Sequence, residues 1–390
     1  MKILKSLLIT LLLLNFAHAQ EKSDSHEESP LEVDSLEAGS IREPSESELA
    51  RAESDQRVMA AIAAIREGNE LWHRGEIERS SRSYQRAINL DPTLYSAQFN
   101  FGFAQLKTSQ FRNAILAFEE ALRLRPESAS AWQSLGFAHY YDKHYDRAVE
   151  AFSQAQQLAP KDAAANNNLG FAYLFLGRFP EALKAFETAL QVDPGFRPAK
   201  KGLCSAQTFV QESSKAVESC RAAAKIDRES AVPRYFLGMA YLDLGNNRKA
   251  IAAFEEAAKR EPNTARIFVG LGFANFNLKK YSKALTHFQH AEQIDPKAKH
   301  ALLGLGATYA HLKDYRKAEN ALREAVANEP DNGSAYFNLA IVCLARKDRD
   351  CALSQYNHLK MLDHTLAANL FKAIFGNRIL DASAKKKAQP

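Results

Sequence analysis

The triplet Gly-Phe-Ala occurs four times in this 390-residue chain, and its spacing constrains the fold more than any other feature. It stands at residues 102–104, 136–138, 170–172 and 272–274, so successive copies are 34, 34 and 102 residues apart. Because 102 is three times 34, all four copies share one period. A fixed period of about 20–50 residues is the signature of a repeat architecture, in which each unit packs on its neighbours.

Aligned on this triplet, residues 61–366 divide into nine blocks of 34 residues without insertion or deletion. We number the places in each block from 1 to 34. Place 8 is Gly in seven blocks, places 20 and 27 are Ala in eight, place 24 is aromatic in seven, and place 32 is Pro in seven. The blocks start at residues 61, 95, 129, 163, 197, 231, 265, 299 and 333.

Each block has the pattern of two helices joined by a turn. Small or apolar residues at places 4, 7, 8 and 11 share one helical face, as do those at places 17, 20, 24 and 27. Proline at place 32 ends the second helix, because it lacks an N–H and fixes φ. One such hairpin cannot bury its apolar face alone. We therefore predict an all-α fold, a right-handed α-solenoid over residues 58–380 with a concave face lined by first helices.

The period and the residues at places 8, 20, 24, 27 and 32 resemble the tetratricopeptide repeat family over about four fifths of the chain. The resemblance implies helix–turn–helix repeats whose first helices line a groove for segments of partner proteins. The family's carboxylate-clamp pattern is not matched, since the relevant places hold Ile65, Asn69, Asn100 and Ser134. We therefore do not expect this chain to bind the C-terminal tails of chaperones.

The two ends of the chain are predicted to differ from the repeats. Lys2 and Lys5 precede an apolar run at residues 7–14, and Ala17-His18-Ala19 has the small-x-small cleavage pattern, so residues 1–19 indicate a signal peptide. The run is shorter than the roughly 20 apolar residues that span a bilayer. We predict a periplasmic or secreted protein that does not span a membrane. At the other end we predict a cap helix at residues 367–380 and a basic disordered tail at residues 381–390.

Residues 20–57 are predicted to be an acidic disordered linker. They contain twelve Asp or Glu and four Lys or Arg, a net charge of −8. Subtracting this and the +2 of the signal peptide from the whole-chain charge of +5 leaves +11 on residues 58–390. The linker either aids solubility or folds back on the basic repeats and competes with an anionic partner. Within it, Ser45-x-x-Glu48 has the pattern of a capping box that opens a leading helix.

The four cysteines fall into two local pairs. Cys204 and Cys220 hold places 8 and 24 of the fifth block, and Cys343 and Cys351 hold places 11 and 19 of the ninth. Facing places in an antiparallel hairpin have a nearly constant sum, and these sums are 32 and 30. In an oxidising compartment we predict the disulfides Cys204–Cys220 and Cys343–Cys351. The alternative is four buried free thiols that act as small apolar residues.

The phenylalanine of the triplet, at place 9, raises the question of function. At about 100° per residue, places 2, 5, 9, 12 and 13 point away from the hairpin's buried face. Aromatic residues there predict an apolar partner-binding groove. The alternatives are that the rings only pack neighbouring first helices, or that duplication alone explains their recurrence. The predicted groove residues are Phe99, Phe103, Gln133, Phe137, Tyr140, Tyr141, Asn167, Phe171, Phe175, Tyr235, Met239, Phe273 and Phe276.

The sequence favours a binding protein over an enzyme. It contains no zincin His-Glu-x-x-His motif, phosphate-binding glycine loop or Gly-x-Ser-x-Gly elbow, and we predict no cofactor and no metal. The leading hypothesis is a non-catalytic protein–protein interaction scaffold of the cell envelope, which holds a peptide segment in its groove. The alternative hypothesis is an accessory protein that binds envelope polysaccharide or lipid through the same groove and its basic surface. Nucleic acid is not an expected partner.

Overall fold

A computed structural model describes residues 41–52 and 55–387, with side chains at residues 41–52, 55–298 and 300–375. These residues are helices and short connections, and they form two compact units, residues 41–206 and residues 207–387. The predicted signal peptide lies outside the described residues. Within the described ranges, no helix is both long and apolar enough to cross a membrane.

The helices follow one another as pairs. In the first unit they are α1 (Glu46–Ala52), α2 (Gln56–His73), α3 (Ile77–Leu90), α4 (Tyr95–Lys107), α5 (Phe111–Leu124), α6 (Ala129–Tyr141), α7 (Tyr145–Leu158), α8 (Ala163–Phe175), α9 (Phe179–Val192) and α10 (Arg197–Phe209), in which the division falls. In the second unit they are α11 (Ser213–Ile226), α12 (Val232–Asp243), α13 (Asn247–Ala258), α14 (Ala265–Asn277), α15 (Tyr281–Ile294), α16 (Lys299–His311), α17 (Tyr315–Asn328), α18 (Gly333–Ala345), α19 (Arg349–Leu362) and α20 (His364–Lys387).

The predicted all-α fold of helical pairs is confirmed. Seven first helices begin at the predicted block starts, α12 begins one residue later, and α2 begins five residues earlier. Within each unit, a first helix packs on the second helix of its own pair and on that of the preceding pair. The handedness of the stack and the count of nine blocks remain predictions.

The recurrent glycine at place 8 allows the aromatic ring at place 24 to approach the first helix. A Cβ added to Gly136 would lie 2.6 Å from Cδ1 of Phe152, and one added to Gly272 would lie 2.6 Å from Cδ1 of Phe288. Both rings are fully buried. Since real Cβ atoms essentially never approach a ring carbon this closely, glycine is the residue that fits there.

The turn inside every block has one residue with positive φ, always at place 15. In three blocks it is glycine, as at Gly245 (φ 70°), and in six it is not, as at Lys313 (φ 66°). The backbone N–H groups of Lys313 and Asp314 donate to the carbonyls of Ala310 and Tyr309, which closes the end of the first helix. A left-handed residue in this position is a standard helix C-cap, although it strains a non-glycine residue.

Residues 41–52 depart from the predicted disordered linker. The capping box is confirmed, because the Ser45 N–H donates to Glu48 Oε2 (2.7 Å) and the Glu48 N–H donates to Ser45 Oγ (3.4 Å). The helix that it opens, α1, packs on α2. The disorder predicted for residues 20–57 is therefore wrong for residues 41–52, because hydrogen bonds to the repeats compensate for their low apolar content.

The cap helix is longer than predicted at both ends. Its first turn begins at His364, and the helix runs to Lys387 rather than residue 380. Leu366, Ala367 and Leu370 are buried against α18 and α19. The predicted disordered tail at residues 381–390 is thus wrong up to Lys387, and residues 388–390 lie outside the described part of the chain.

Candidate functional site

The predicted groove is largely buried. Among its thirteen residues only Gln133, Tyr141 and Phe175 are half-buried. The other ten are at most 4% exposed, namely Phe99, Phe103, Phe137, Tyr140, Asn167, Phe171, Tyr235, Met239, Phe273 and Phe276. The open apolar groove expected from the helical wheel is therefore wrong for these ten residues.

Three of the phenylalanines at place 9, Phe137, Phe171 and Phe273, pack on the place-24 ring of their own block, and Phe103 packs on Trp72 of the preceding block. The ring of Phe137 lies 5.2 Å from that of Phe152 in an edge-to-face contact, and the ring of Phe273 lies 5.0 Å from that of Phe288. Such pairs contribute about 0.5–1.5 kcal/mol beyond their buried area. The rings are thus packed and not exposed, although the contacts of Phe137 and Phe273 are with second helices rather than with the neighbouring first helices of the alternative hypothesis.

The helical wheel failed because it considers only one neighbour. A first helix contacts its own second helix, the preceding second helix and, in several cases, the next first helix. A helix enclosed on three sides is apolar around most of its circumference, as α14 (ARIFVGLGFANFN) is. That all-round composition was the signal in the sequence that indicated burial. It also removes the basis for binding polysaccharide or lipid through these rings, since their faces are covered.

The structure instead places a stretch of the chain itself on the first helices of the first unit. The backbone N–H of Arg42 donates to Asn100 Oδ1 (2.6 Å), and Asn100 Nδ2 donates to the carbonyl oxygen of Arg42 (2.8 Å). One asparagine thus satisfies both backbone groups of one residue. This recognition does not depend on the side chain of the bound residue.

A buried polar network fixes the orientation of Asn100. Its Nδ2 also donates to Asn69 Oδ1 (3.0 Å), which accepts a hydrogen bond from the hydroxyl of Tyr84 (2.9 Å) as well. Burial raises the pKa of Tyr84, so its hydroxyl stays protonated and remains a donor. Asn69 Nδ2 then donates to Glu43 Oε1 (2.8 Å), so two neighbouring blocks hold residues 42 and 43 together.

Helix α1 anchors the stretch downstream. Glu48, 6% exposed, accepts hydrogen bonds from the N–H and the hydroxyl of Ser96 through its Oε1 (3.1 and 3.2 Å). Arg51 forms an ion pair with Asp91 (2.9 Å). Although desolvation opposes it, hydrogen bonds from Thr93 and the charge of Arg51 lower the pKa of Asp91, so the ion pair weakens as the pH falls through this lowered pKa.

An open cavity lies beside Arg42, on the side of the third and fourth blocks. Its lining includes Arg42, Arg125, Gln133 and Asp162. Gln133 is the one predicted groove residue that it contains. Sequence reasoning did not assign Asn69 or Asn100 to the site, although polar residues at places 9 and 6 of otherwise apolar first helices were a usable signal.

The cysteines agree with the expectation of oxidation. The predicted disulfide Cys343–Cys351 is confirmed and joins α18 to α19, with the two Cα atoms 5.8 Å apart. Cys204 and Cys220 are buried, and neither is a free thiol. Their predicted pairing with each other remains a prediction.

Comparison with known families supports the repeat interpretation. Two family models described as tetratricopeptide repeat match the chain, one at residues 99–163 and 235–299 and the other at residues 139–206 and 278–340. Together they cover more than half of the chain. A search of curated proteins finds no match.

Two solved structures have folds similar to that of this chain. The crystal structure of the APC/C hetero-tetramer Cut9–Hcn1 is similar with a TM-score of 0.55 at 17% identity, over 80% of this chain and 75% of that one. A tetratricopeptide repeat protein from Parabacteroides merdae is similar with a TM-score of 0.51 at 16% identity, over 64% of this chain and 99% of that one. At these identities the likeness extends to the fold alone.

Proposed function

We propose that this chain, which belongs to the tetratricopeptide repeat family, is a non-catalytic scaffold that holds an extended segment of a partner protein against the first helices of residues 95–175. The observation that carries the proposal is the two-hydrogen-bond contact of Asn100 with the backbone of Arg42. Side chains that satisfy a peptide N–H and carbonyl at once are suited to hold any extended chain. The family is generally one of interaction scaffolds rather than enzymes.

The chain's own residues 41–48 act in this proposal as an internal example of the ligand. They reach the first helices through backbone hydrogen bonds and one buried carboxylate, and Ile41 is the one large apolar side chain among them that is buried. Partner segments are therefore expected to bind by main-chain contacts, with charge providing specificity. This differs from the apolar groove predicted from the sequence.

Export to the cell envelope is part of the proposal and rests on the signal-peptide pattern of residues 1–19 and on the oxidised cysteines. Sequencing the N-terminus of the mature protein tests it. Cleavage after Ala19 would leave Gln20 as the first residue, whereas a protein that retains Met1 in the cytoplasm would contradict export.

Site-specific photo-crosslinking tests the scaffold function. A photoreactive residue at Gln133, which is half-buried beside the cavity, is expected to capture one defined protein in the native compartment. The same residue at Glu119, exposed on a second helix, serves as the control. Mass spectrometry should map the crosslink to one segment, and a synthetic peptide of that segment should bind the purified chain. Identical captures from Gln133 and Glu119 would contradict the proposal.

A further inference from the structure

The cavity beside Arg42 has a chemistry of its own. It is an open space of about 480 Å³ in the first unit, bordered by the starts of α4, α6 and α8 and by the end of α5. Its polar lining includes Arg42, Arg125, Ser128, Ser130, Gln133 and Asp162. Such a space accommodates several side chains of a bound peptide.

Two guanidinium groups are held at this cavity by neutral partners. Arg42 Nη2 donates to Ser130 Oγ (2.8 Å), which directs the side chain from the second block to the third. The guanidinium of Arg125 lies over the ring of Tyr95, 4.3 Å from its centroid. The hydroxyl of Tyr95 is in turn 2.8 Å from Ser128 Oγ, which fixes the ring. Both cations are therefore positioned without an acidic partner.

The charge of the cavity is unbalanced. In the part of the chain with described side chains, no carboxylate lies within ion-pair distance of Arg42 or Arg125. Asp162 is the one acidic residue in the lining, and its Oδ1 accepts the N–H of Ala164 (2.8 Å) as the N-cap of α8. Two cations against one carboxylate already committed to a helix end favour an added anion.

The direction of the bound stretch leads to this cavity. Glu43 contacts Asn69 of the first block, the backbone of Arg42 contacts Asn100 of the second, and the side chain of Arg42 contacts Ser130 of the third. The chain therefore runs from the third block towards the first. The cavity lies on its upstream side.

We propose that this cavity is a carboxylate-binding site. It takes an Asp or Glu side chain of an extended partner segment, which lies on the upstream side of Ile41. The proposal rests on the proposed function, because it names the chemical class of segment that the same face selects. A guanidinium group pairs with a carboxylate through two parallel hydrogen bonds, and Arg125 is half-buried, which limits screening by solvent, whereas Arg42 is exposed. The partner segment is thus acidic as well as extended.

A peptide with the sequence of residues 28–40 (ESPLEVDSLEAGS) is a suitable probe, since it has four carboxylates. Its affinity for the full mature chain is measured by fluorescence anisotropy. The chain itself contains this acidic stretch, so a second full-length version carries Glu32→Gln, Asp34→Asn and Glu37→Gln. Tighter binding by the second version would show that the chain's own stretch competes for the site, and equal binding would show that the site is left to a partner.

The decisive variants change Arg125. Arg125→Gln is expected to weaken binding of the probe about tenfold, and Arg125→Lys, which keeps the charge but loses the planar fork, by less. Arg123→Gln is the matched control, because Arg123 lies two residues before Arg125, in the last turn of α5, and is exposed and paired with Glu120. Melting temperatures of all variants show whether the fold is intact.

The outcomes separate this inference from the proposed function. Equal weakening by Arg125→Gln and Arg123→Gln overturns the carboxylate site. So does equally tight binding of a probe in which Gln and Asn replace the four acidic residues, although main-chain binding by the scaffold would then still stand. Absence of saturable binding by either full-length chain also overturns it, while a crosslinked partner segment without acidic residues would leave only the scaffold function.

Discussion

The two units are built from the same block but differ at place 6 of the first helix. In the first unit four successive blocks have polar residues there, Arg66, Asn100, Ser134 and Asn168, before Gly202, and in the second unit two successive blocks have glycine. From the second block onwards, place 6 is Asn100, Ser134, Asn168, Gly202, Phe236, Gly270, Gly304 and Asn338. Place 6 faces the place-24 ring of the preceding block, as the contact of Gly270 with Phe254 shows.

This difference shows how one repeat supports two uses of the same face. Where place 6 is glycine, the place-24 ring of the preceding block packs between two glycines, as Phe254 does. Place 6 then has no side chain that could form a hydrogen bond. Where it is asparagine, as at Asn100, the same position holds a peptide backbone. The stretch is therefore held by polar residues of the first helices, Asn100 at place 6 together with Asn69 at place 9 and Ser96 at place 2, and not by aromatic rings.

The largest expected effect is shared by both units and tests what they have in common. Phe137→Ala and Phe273→Ala each remove a buried ring packed edge-to-face on its own block, so each should lower the free energy of unfolding of its unit by about 3–5 kcal/mol. Chemical denaturation followed by far-ultraviolet circular dichroism measures this change in unfolding free energy. A loss below 1 kcal/mol at either site would show that the ring is not part of the core.

Exchanging the residue types at place 6 between the units should destabilise the second unit more than the first. Gly304→Asn would force the side chain into the ring of Phe288, and we expect it to cost up to about 3 kcal/mol of unfolding free energy. Asn168→Gly removes a buried amide whose Nδ2 has no hydrogen-bond partner, so its cost should be about 1 kcal/mol or less. Thermal melts compare the two variants, and equal losses would contradict the distinction.

The disulfide Cys343–Cys351 should stabilise the second unit, in which both cysteines lie. The bond Cys343–Cys351 closes a short loop, and in the chain-entropy model its reduction should cost about 2–3 kcal/mol. Melting with and without reductant, using Cys343→Ala/Cys351→Ala as the control that no longer responds, measures the effect. Peptide mapping under non-reducing conditions should also find Cys204 linked to Cys220, and a different partner for either would contradict that pairing.

Replacing the asparagine at place 6 should lower stability more in the first unit than in the second. Asn100→Ala removes both hydrogen bonds to Arg42, so we expect a loss of about 1–2 kcal/mol and faster hydrogen exchange in residues 41–52. Asn338→Ala is the control at the same place of the second unit, where Oδ1 has no hydrogen-bond partner. Unchanged exchange in residues 41–52 would show that α1 alone holds the stretch.

The smallest expected effect concerns the turns. Lys313→Gly relieves a left-handed non-glycine residue and should stabilise its unit by about 0.5–1 kcal/mol. The reverse change in the same unit, Gly245→Lys, should destabilise by a similar amount, since Gly245 has φ of 70° and open space around it. Denaturant titrations compare the two, and effects of the same sign would contradict the role of strain.

The sequence predicted the fold in detail because the fold is local. Glycine at place 8, a ring at place 24 and proline at place 32 are read within one block, and helices begin at the predicted residues as a result. The site was predicted poorly because it depends on contacts between blocks. Place 9 points away from its own helical stripe, yet Phe137 is 3% exposed and its ring packs edge-to-face on Phe152.

The bound stretch was missed for a different physical reason. Residues 41–52 have few apolar side chains, so composition predicts disorder. They are ordered because Asn100, Asn69 and Ser96 satisfy their polar groups. Only the capping box at Ser45 and Glu48 indicated structure there, and it predicted the helix without predicting what it packs against.

Because of the place-24 ring, the segment that buries its own core differs from the 34-residue block that recurs in the sequence. Phe254 lies between Gly238 of its own block and Gly270 of the next, so a chain cut at a block boundary leaves the last ring covered on one side only. A fragment keeps all of its rings covered when it ends after a first helix. Helix α20 is such an extra helix after α19, where the ring of Phe371 lies 5.9 Å from the ring of Tyr356. Duplication of 34 residues therefore adds one place-24 ring together with one first helix that packs on it. The array can lengthen in this way while the ring of every block stays packed on both sides.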